Sequence, residues 1–276
     1  MIREIYKYQA AGNDFIMIDG RESKGCNTSY VNESFIRSVC DRRYGIGADG
    51  LIVLKDSDCF SFKMEYYNSD GSGGMMCGNG GRAIVAFAAD LGFDSFDIEA
   101  ADGAHDAQLL SDGTIRLKMK DVDDVMCYDS CSYRLDTGTK HFVRFVQDLS
   151  NYPVVEQGRE LRYNAEFAPI GTNVNFVEYI KGVLWVRTYE KGVEDETYAC
   201  GTGIVASCIS AYIYGVNPSQ TEVDGRVKYD VRALKDCLAV DFMPRKNTDG
   251  NIVAQDVWLS GPASKIAKID YFCDAI

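Results

Sequence analysis

The chain has 276 residues and a net charge of −12, with no cluster of Lys or Arg, which argues against a nucleic-acid partner and against docking on an anionic membrane surface. Its 46% hydrophobic and 25% charged residues are those of a globular protein, long enough for one large domain or two ordinary ones. A small anionic substrate stays open, because a local pocket can be positive under a negative surface. The opening MIREIYKYQAAGNDF lacks the apolar stretch of a signal peptide, and no apolar run approaches about 18 residues, so the expected compartment is the cytoplasm, with no membrane partner.

In chain order, EIYKYQ and DFIMID alternate as two strands broken at Ala11-Gly12. NESFIRSVCDRRYG predicts a helix capped by Asn32 or Ser34, with an apolar stripe at Phe35, Val39 and Cys40 and an end at Gly45. GLIVL and FSFKMEYY read as strands and NSDGSGG as a turn. From Gly78, NGGRAIVAFAADLGF is apolar almost all round, the mark of a core helix, closed at Gly92. Strands follow at SFDIEA, AHDAQLL and TIRLKMK, separated by Asp-Gly turns at 102–103 and 112–113. After the acidic KDVDDV come strands at YRLDTG, HFVRFV, TNVNFVEYI and VLWVRTYE. The turn KGVEDET leads to a second mostly apolar helix, GIVASCISAYIYG, and then to strands at GRVKYDVR, CLAVDFM, DVWLSG and KIAKIDYF.

The halves resemble each other. Tyr67-Asn68, a turn, Cys77 and a buried helix match Tyr189-Glu190, a turn, Cys200 and a buried helix, and GNDFIMID is a weaker echo of TNVNFVEY. The expectation is an α+β fold of two pseudo-symmetric domains, each a curved, mostly antiparallel sheet around a central helix. The first spans 1–121, with 263–276 returning to it, and the second 122–262. Such halves usually enclose a cleft, with the two cysteines facing each other across it.

Ten cysteines stand at 26, 40, 59, 77, 127, 131, 200, 208, 237 and 273. Their loose spacing does not suit a disulfide framework. No metal site is expected either, since the close pair Cys127 and Cys131 has no second pair and the histidines are only His105 and His141. Most are expected to be small buried hydrophobes. Cys77 and Cys200 differ, because each opens a helix within Cys-Gly-x-Gly. A helix N-terminus favours the reactive thiolate, and its unpaired amides beside glycine can cradle a carboxylate. Two opposed thiols suit inversion of a stereocentre, a thiolate removing a proton from one face and a thiol delivering one to the other. The stretch from Gly45 to Gly50 spells G-x-G-x-x-G, but a helix precedes it and a strand follows, the reverse of a dinucleotide site.

AGNDF (11–15), NSDGSGGMMCGNGGR (68–82), GTNVNFV (171–177) and RTYEKGVEDETYACGTG (187–203) together resemble diaminopimelate epimerase, in order over nearly the whole chain. The resemblance implies a cofactor-free epimerase, independent of pyridoxal phosphate, that interconverts LL- and meso-diaminopimelate in lysine and cell-wall precursor synthesis. It implies catalytic roles for Cys77 and Cys200, supported by His141 and Glu190. Substrate binding falls to Asn13, Asn68 and Asn173, and to Gly78-Asn79 and Gly201-Thr202, which hold the reacting carboxylate. The implied partner is a small amino-acid substrate, and the family is often a homodimer. The chain departs from the family at Thr139-Lys140-His141, usually Asn-Pro-His, at Lys191, usually Arg, at Gly50, commonly Gln, and in NSDGSGG. Lys191 cannot grip a carboxylate through two parallel hydrogen bonds as Arg does. These positions bear on the distal end of the substrate, so an epimerase of the same fold acting on another amino acid is the alternative. A non-enzymatic thiol or metal-binding protein is a further one.

Overall fold

The computed structural model describes residues 2–74 and 77–272. Met75, Met76, Cys273 and the last residues of the expected returning segment lie outside them. The chain divides into two compact units, 1–117 with 261–276, and 118–260.

The first unit contains β1 (Ile2–Ala10), β2 (Asn13–Asp19), α1 (Glu33–Cys40), β3 (Gly50–Lys55), β4 (Phe62–Asn68), α2 (Gly78–Asp90), β5 (Asp97–Ala100), β6 (Gly103–Leu109) and β7 (Ile115–Lys118). The second contains β8 (Val125–Asp129), β9 (Ser132–Asp136), β10 (Lys140–Phe145), α3 (Val154–Arg162), β11 (Asn173–Ile180), β12 (Val183–Glu190), β13 (Asp195–Thr197), α4 (Gly201–Tyr214), β14 (Gln220–Thr221), β15 (Val227–Arg232), β16 (Cys237–Lys246) and β17 (Ile252–Gly261). The last strand, β18 (Ser264–Phe272), returns to pair with β1.

Strand order in the first unit is β18-β1-β2-β3-β4-β5-β6-β7, and in the second β8-β9-β10-β11-β12-β15-β16-β17. The pairings run through the same series in both: antiparallel, antiparallel, parallel, antiparallel, parallel, antiparallel, antiparallel. Each parallel pair is bridged by a helix, α1 or α2 in the first unit and α3 or α4 in the second. Register fixes the correspondences. Phe15 pairs with Gly50 and Gly50 with Asn68. His141 pairs with Asn173, and Val174 with Tyr189. Phe15, Gly50, Ile52 and Asn68 therefore correspond to His141, Asn173, Asn175 and Glu190. The echo between GNDFIMID and TNVNFVEY is overturned, because these stretches are β2 and β11, which hold different places in the repeat. Similar local composition arises wherever a strand is covered on both faces.

Such covering explains the continuous apolar runs. Ile16, Ile18, Leu51 and Val53 join Phe35, Ile36 and Val39 of α1 in one core. Phe15, Met17, Ile52 and Leu54, on the alternate face, are also buried. α2 touches β1, β2, β3, β6 and β18, so the sheet wraps around it. α4 touches β9, β10, β11, β12 and β16 in the same way. Burying side chains such as Ile84, Val85 and Phe87 contributes about 1.5–3 kcal/mol each. Ala11 and Gly12 turn the first hairpin at φ of 53° and 84°.

Three local expectations change. The first helix stops at Cys40 rather than Gly45, because the Asp41 carboxylate accepts from the Arg43 and Tyr44 amides at 2.7 Å and so competes with further turns. Its cap is Asn32, whose side chain accepts from the Phe35 amide at 2.9 Å. α3 has no counterpart among the predicted elements, since only Val154 and Gly158 are buried along it and its apolar stripe is thin. The cysteines are less buried than expected. Cys40, Cys200 and Cys208 are buried, Cys26, Cys77 and Cys131 are intermediate, and Cys59, Cys127 and Cys237 are exposed.

Candidate active site

Cys77 and Cys200 are the N-cap residues of α2 and α4, each extended, with φ of −115° and −105°. Both helices start here because Cys-Gly-x-Gly frees the first turn of side chains and the apolar run behind it can then be buried. Cys77 Sγ accepts from the Gly80 amide at 3.2 Å. Cys200 is 8% exposed, and its Sγ lies 3.4 Å from Thr202 Oγ1.

In the first unit, Asn13 starts β2 and donates to the Asp49 carboxylate at 2.5 Å. Asn68 ends β4, accepts from the Tyr66 hydroxyl at 3.1 Å and donates to Ser72 at 3.0 Å. Gly78 and Asn79 form the first turn of α2. There Arg82, fully buried, donates to the Gly78 carbonyl at 3.0 Å and to Asn79 Oδ1 at 2.8 Å. Gly50 is filled space. A Cβ there would stand 2.6 Å from the Tyr66 ring and 2.7 Å from the Tyr67 carbonyl. Tyr66 thus occupies the room that a glutamine at 50 would need.

In the second unit, β10, β11 and the start of α4 converge on a polar cluster. His141, 1% exposed, places Nε2 2.9 Å from Thr139 Oγ1 and 3.0 Å from Thr202 Oγ1. Burial pushes its pKa down to about 3, so the imidazole is neutral at ordinary pH. Asn173 Oδ1 accepts from the Lys191 amide at 2.8 Å, which ties β11 to the turn after β12. Its Nδ2 donates to Thr139 Oγ1 at 3.3 Å. Thr202 is held from behind, its carbonyl accepting from Thr137 Oγ1 at 2.9 Å. Glu190 ends β12 opposite Asp195, and Lys191 Nζ reaches the Ile170 carbonyl at 3.5 Å. A cavity of about 420 Å³ in this unit borders Lys140, His141, Gly171 and Thr172. Cys200, His141, Thr139, Asn173 and Thr202 are thus brought together through direct hydrogen bonds. Asn175 joins them and was missed by sequence reasoning. Its signal was the period of two along β11, which puts Asn173 and Asn175 on one face.

The fold recurs in solved structures. The structure is similar to a phenazine biosynthesis protein from Bacillus anthracis, with a TM-score of 0.70, 14% identity, and coverage of 99% of this chain and 100% of that one. It is also similar to a hydroxyproline epimerase from Agrobacterium vitis, with a TM-score of 0.65, 14% identity, and coverage of 98% and 92%. At such identity the likeness establishes the fold alone. Sequence goes further. The family model for diaminopimelate epimerase matches residues 5–124 and 133–232. The chain is 41% identical to a diaminopimelate epimerase from Flavobacterium psychrophilum over 94% of this chain and 96% of that one. It is 37% identical to one from Chlorobaculum tepidum over 94% and 97%. This chain belongs to the diaminopimelate epimerase family and is an isomerase of the epimerase type.

Proposed function

We propose that the protein interconverts LL- and meso-diaminopimelate without a cofactor, in the cytoplasm and as a homodimer, in lysine biosynthesis. One observation carries the chemical reading: in two copies of one sheet order, the same N-cap position of the same central helix is a cysteine. In each direction one sulfur, as thiolate, takes the α-hydrogen as a proton, and the other, as thiol, delivers a proton to the opposite face. Afterwards the two have exchanged protonation states. The helix N-termini favour thiolate, and the amides at Gly78-Asn79 and Gly201-Thr202 stabilise the carboxylate as charge grows on it. His141 is neutral and reaches Cys200 through Thr202, so it supports the thiol by orientation rather than by charge. Asn13, Asn68, Asn173, Glu190 and Lys191 bind the rest of the substrate.

Incubation with LL-diaminopimelate in D2O tests this. Conversion to the meso form with deuterium at the inverted α-carbon is expected. A second reading, an epimerase for another amino acid, is favoured by Thr139, whose hydroxyl is engaged with His141, and by Lys191, whose amine is turned to the Ile170 carbonyl. Deuterium entering another amino acid but not diaminopimelate would replace the first reading by the second. Sedimentation of the purified protein as a monomer would remove the homodimer.

A further inference from the structure

The two helix starts stand on different ground. The third helical residue of each is a glycine facing the sheet. A Cβ at Gly80 would lie 3.3 Å from Met64 Cε and 3.5 Å from Ile52 Cδ1, both apolar. A Cβ at Gly203 would lie 2.2 Å from Asn175 Oδ1 and 3.3 Å from His141 Cε1. Ile52 and Asn175 hold equivalent strand positions, as do Phe15 and His141. The repeat has therefore kept the thiols alike and made their foundations unlike.

Asn175 is fully buried, and its partners leave its amide one orientation. One side-chain atom lies 3.2 Å from the Phe142 carbonyl oxygen, which only accepts, so that atom is the nitrogen. The oxygen accepts from Thr188 Oγ1 at 2.9 Å. The nitrogen also reaches His141 Nδ1 at 3.0 Å, so Nδ1 accepts and the ring proton sits on Nε2. Nε2–H then donates to the Thr139 and Thr202 hydroxyls. Thr139 receives a second donor from Asn173 Nδ2. Neither His141 Nε2 nor the Asn173 nitrogen can take a hydroxyl hydrogen back. Within the cluster, the acceptor left to Thr139 is Thr202 Oγ1 at 3.2 Å, and the acceptor left to Thr202 is Cys200 Sγ at 3.4 Å.

We propose that Asn175, gripped by Thr188, is a positioning residue that holds His141 as its Nε2–H tautomer, so that the hydrogens of the cluster run one way through Thr139 and Thr202 and end on Cys200 Sγ. A donor aimed at sulfur favours the thiolate. Beneath Gly80 the nearest sheet side chains are instead the apolar Met64 and Ile52. The catalytic meaning of the chain rests on the epimerase reading, whereas the tautomer and the reactivity of the thiol do not.

The test uses nitrogen-15 NMR of the ring nitrogens, readable because His105 and His141 are the only histidines, with His105→Gln giving the assignment. Wild-type His141 is expected as neutral Nε2–H near neutral pH; an Nδ1–H ring or an imidazolium overturns the proposal without any variant of the cluster. In Asn175→Asp the carboxylate accepts, so the proton moves to Nδ1 and the chain reverses. Alkylation of Cys200 relative to Cys77, without substrate, should then fall about tenfold or more. With substrate, kcat should fall about 10- to 100-fold while KM stays within about twofold. A switched tautomer with unchanged Cys200 alkylation overturns the proposal. Should Asn175→Asp not fold, Thr188→Val loosens the same amide and should lower the alkylation ratio about two- to fivefold, and an unchanged ratio again overturns it. If the tautomer and the thiol behave as expected while diaminopimelate takes up no deuterium, the substrate reading fails and this one stands.

Discussion

In the proposed reaction Cys77, Cys200 and His141 act through single atoms, and their predictions are single substitutions. Cys77→Ala and Cys200→Ala should each abolish epimerisation, while Cys237→Ala, on an exposed strand end, should leave activity near wild type. Equal loss in all three would point to folding instead of catalysis. His141 gives a stability prediction. Burial holds its folded pKa near 3 against 6.5 for the free side chain, so below pH 6.5 the unfolded chain takes a proton that the folded one refuses. Its contribution is whole above that pH and is lost as pH falls toward 3. Between pH 7 and 5 the loss amounts to about 2 kcal/mol. Urea unfolding of His141→Gln should show a pH 7-to-5 decline smaller than wild type by about that amount. The cysteines were legible as a repeated motif, and the asparagines only through the family resemblance. Asn175 and Thr188 were not, because a buried polar side chain is recognised by the partner it meets across strands, and that partner is far away in sequence.

At the scale of elements, the helices show what local pattern can and cannot announce. α2 and α4 are apolar almost all round and are closed by glycines, Gly92 and Gly215, with φ of 91° and 90°, so their limits were readable. α3 packs onto β11, β12 and β13 by a narrow contact and was not. Its Gly158 is the reason it can pack. A Cβ there would stand 2.3 Å from Tyr189 Cβ and 2.6 Å from its Cγ. Gly158→Ala gains about 1 kcal/mol of helix propensity but overpacks a buried ring contact at about 1–3 kcal/mol. Net destabilisation is expected, measured as a lower urea midpoint, with the exposed Glu160→Ala as the neutral control. A higher midpoint would mean that Tyr189 yields easily.

At the scale of the whole molecule, the first unit is closed by the end of the chain. β18 pairs with β1 through eight residues from Ile2–Phe272 to Gln9–Ser264, and its Ile269 and Tyr271 pack on the core under α1. A chain ended after Pro262 should expose the edge of β1 and lose that packing. Hydrogen exchange should then quicken in β1 and β2 while β11 and β12 keep their protection. Equal protection in both units would show that β18 is dispensable. The duplicated plan was visible in sequence only around the cysteines. Elsewhere the copies have diverged, as when Phe15 and Ile52 stand where His141 and Asn175 do.

The sequence by itself determined the fold class, the two helix-capping cysteines and the family, because each is written in residues adjacent or periodic along the chain. Tertiary structure alone decided which strand of one half answers to which strand of the other, what stands beneath each thiol, and which way the hydrogens under Cys200 point. Those depend on register between strands distant in sequence and on the exclusion of water, and both exist only once the chain has folded.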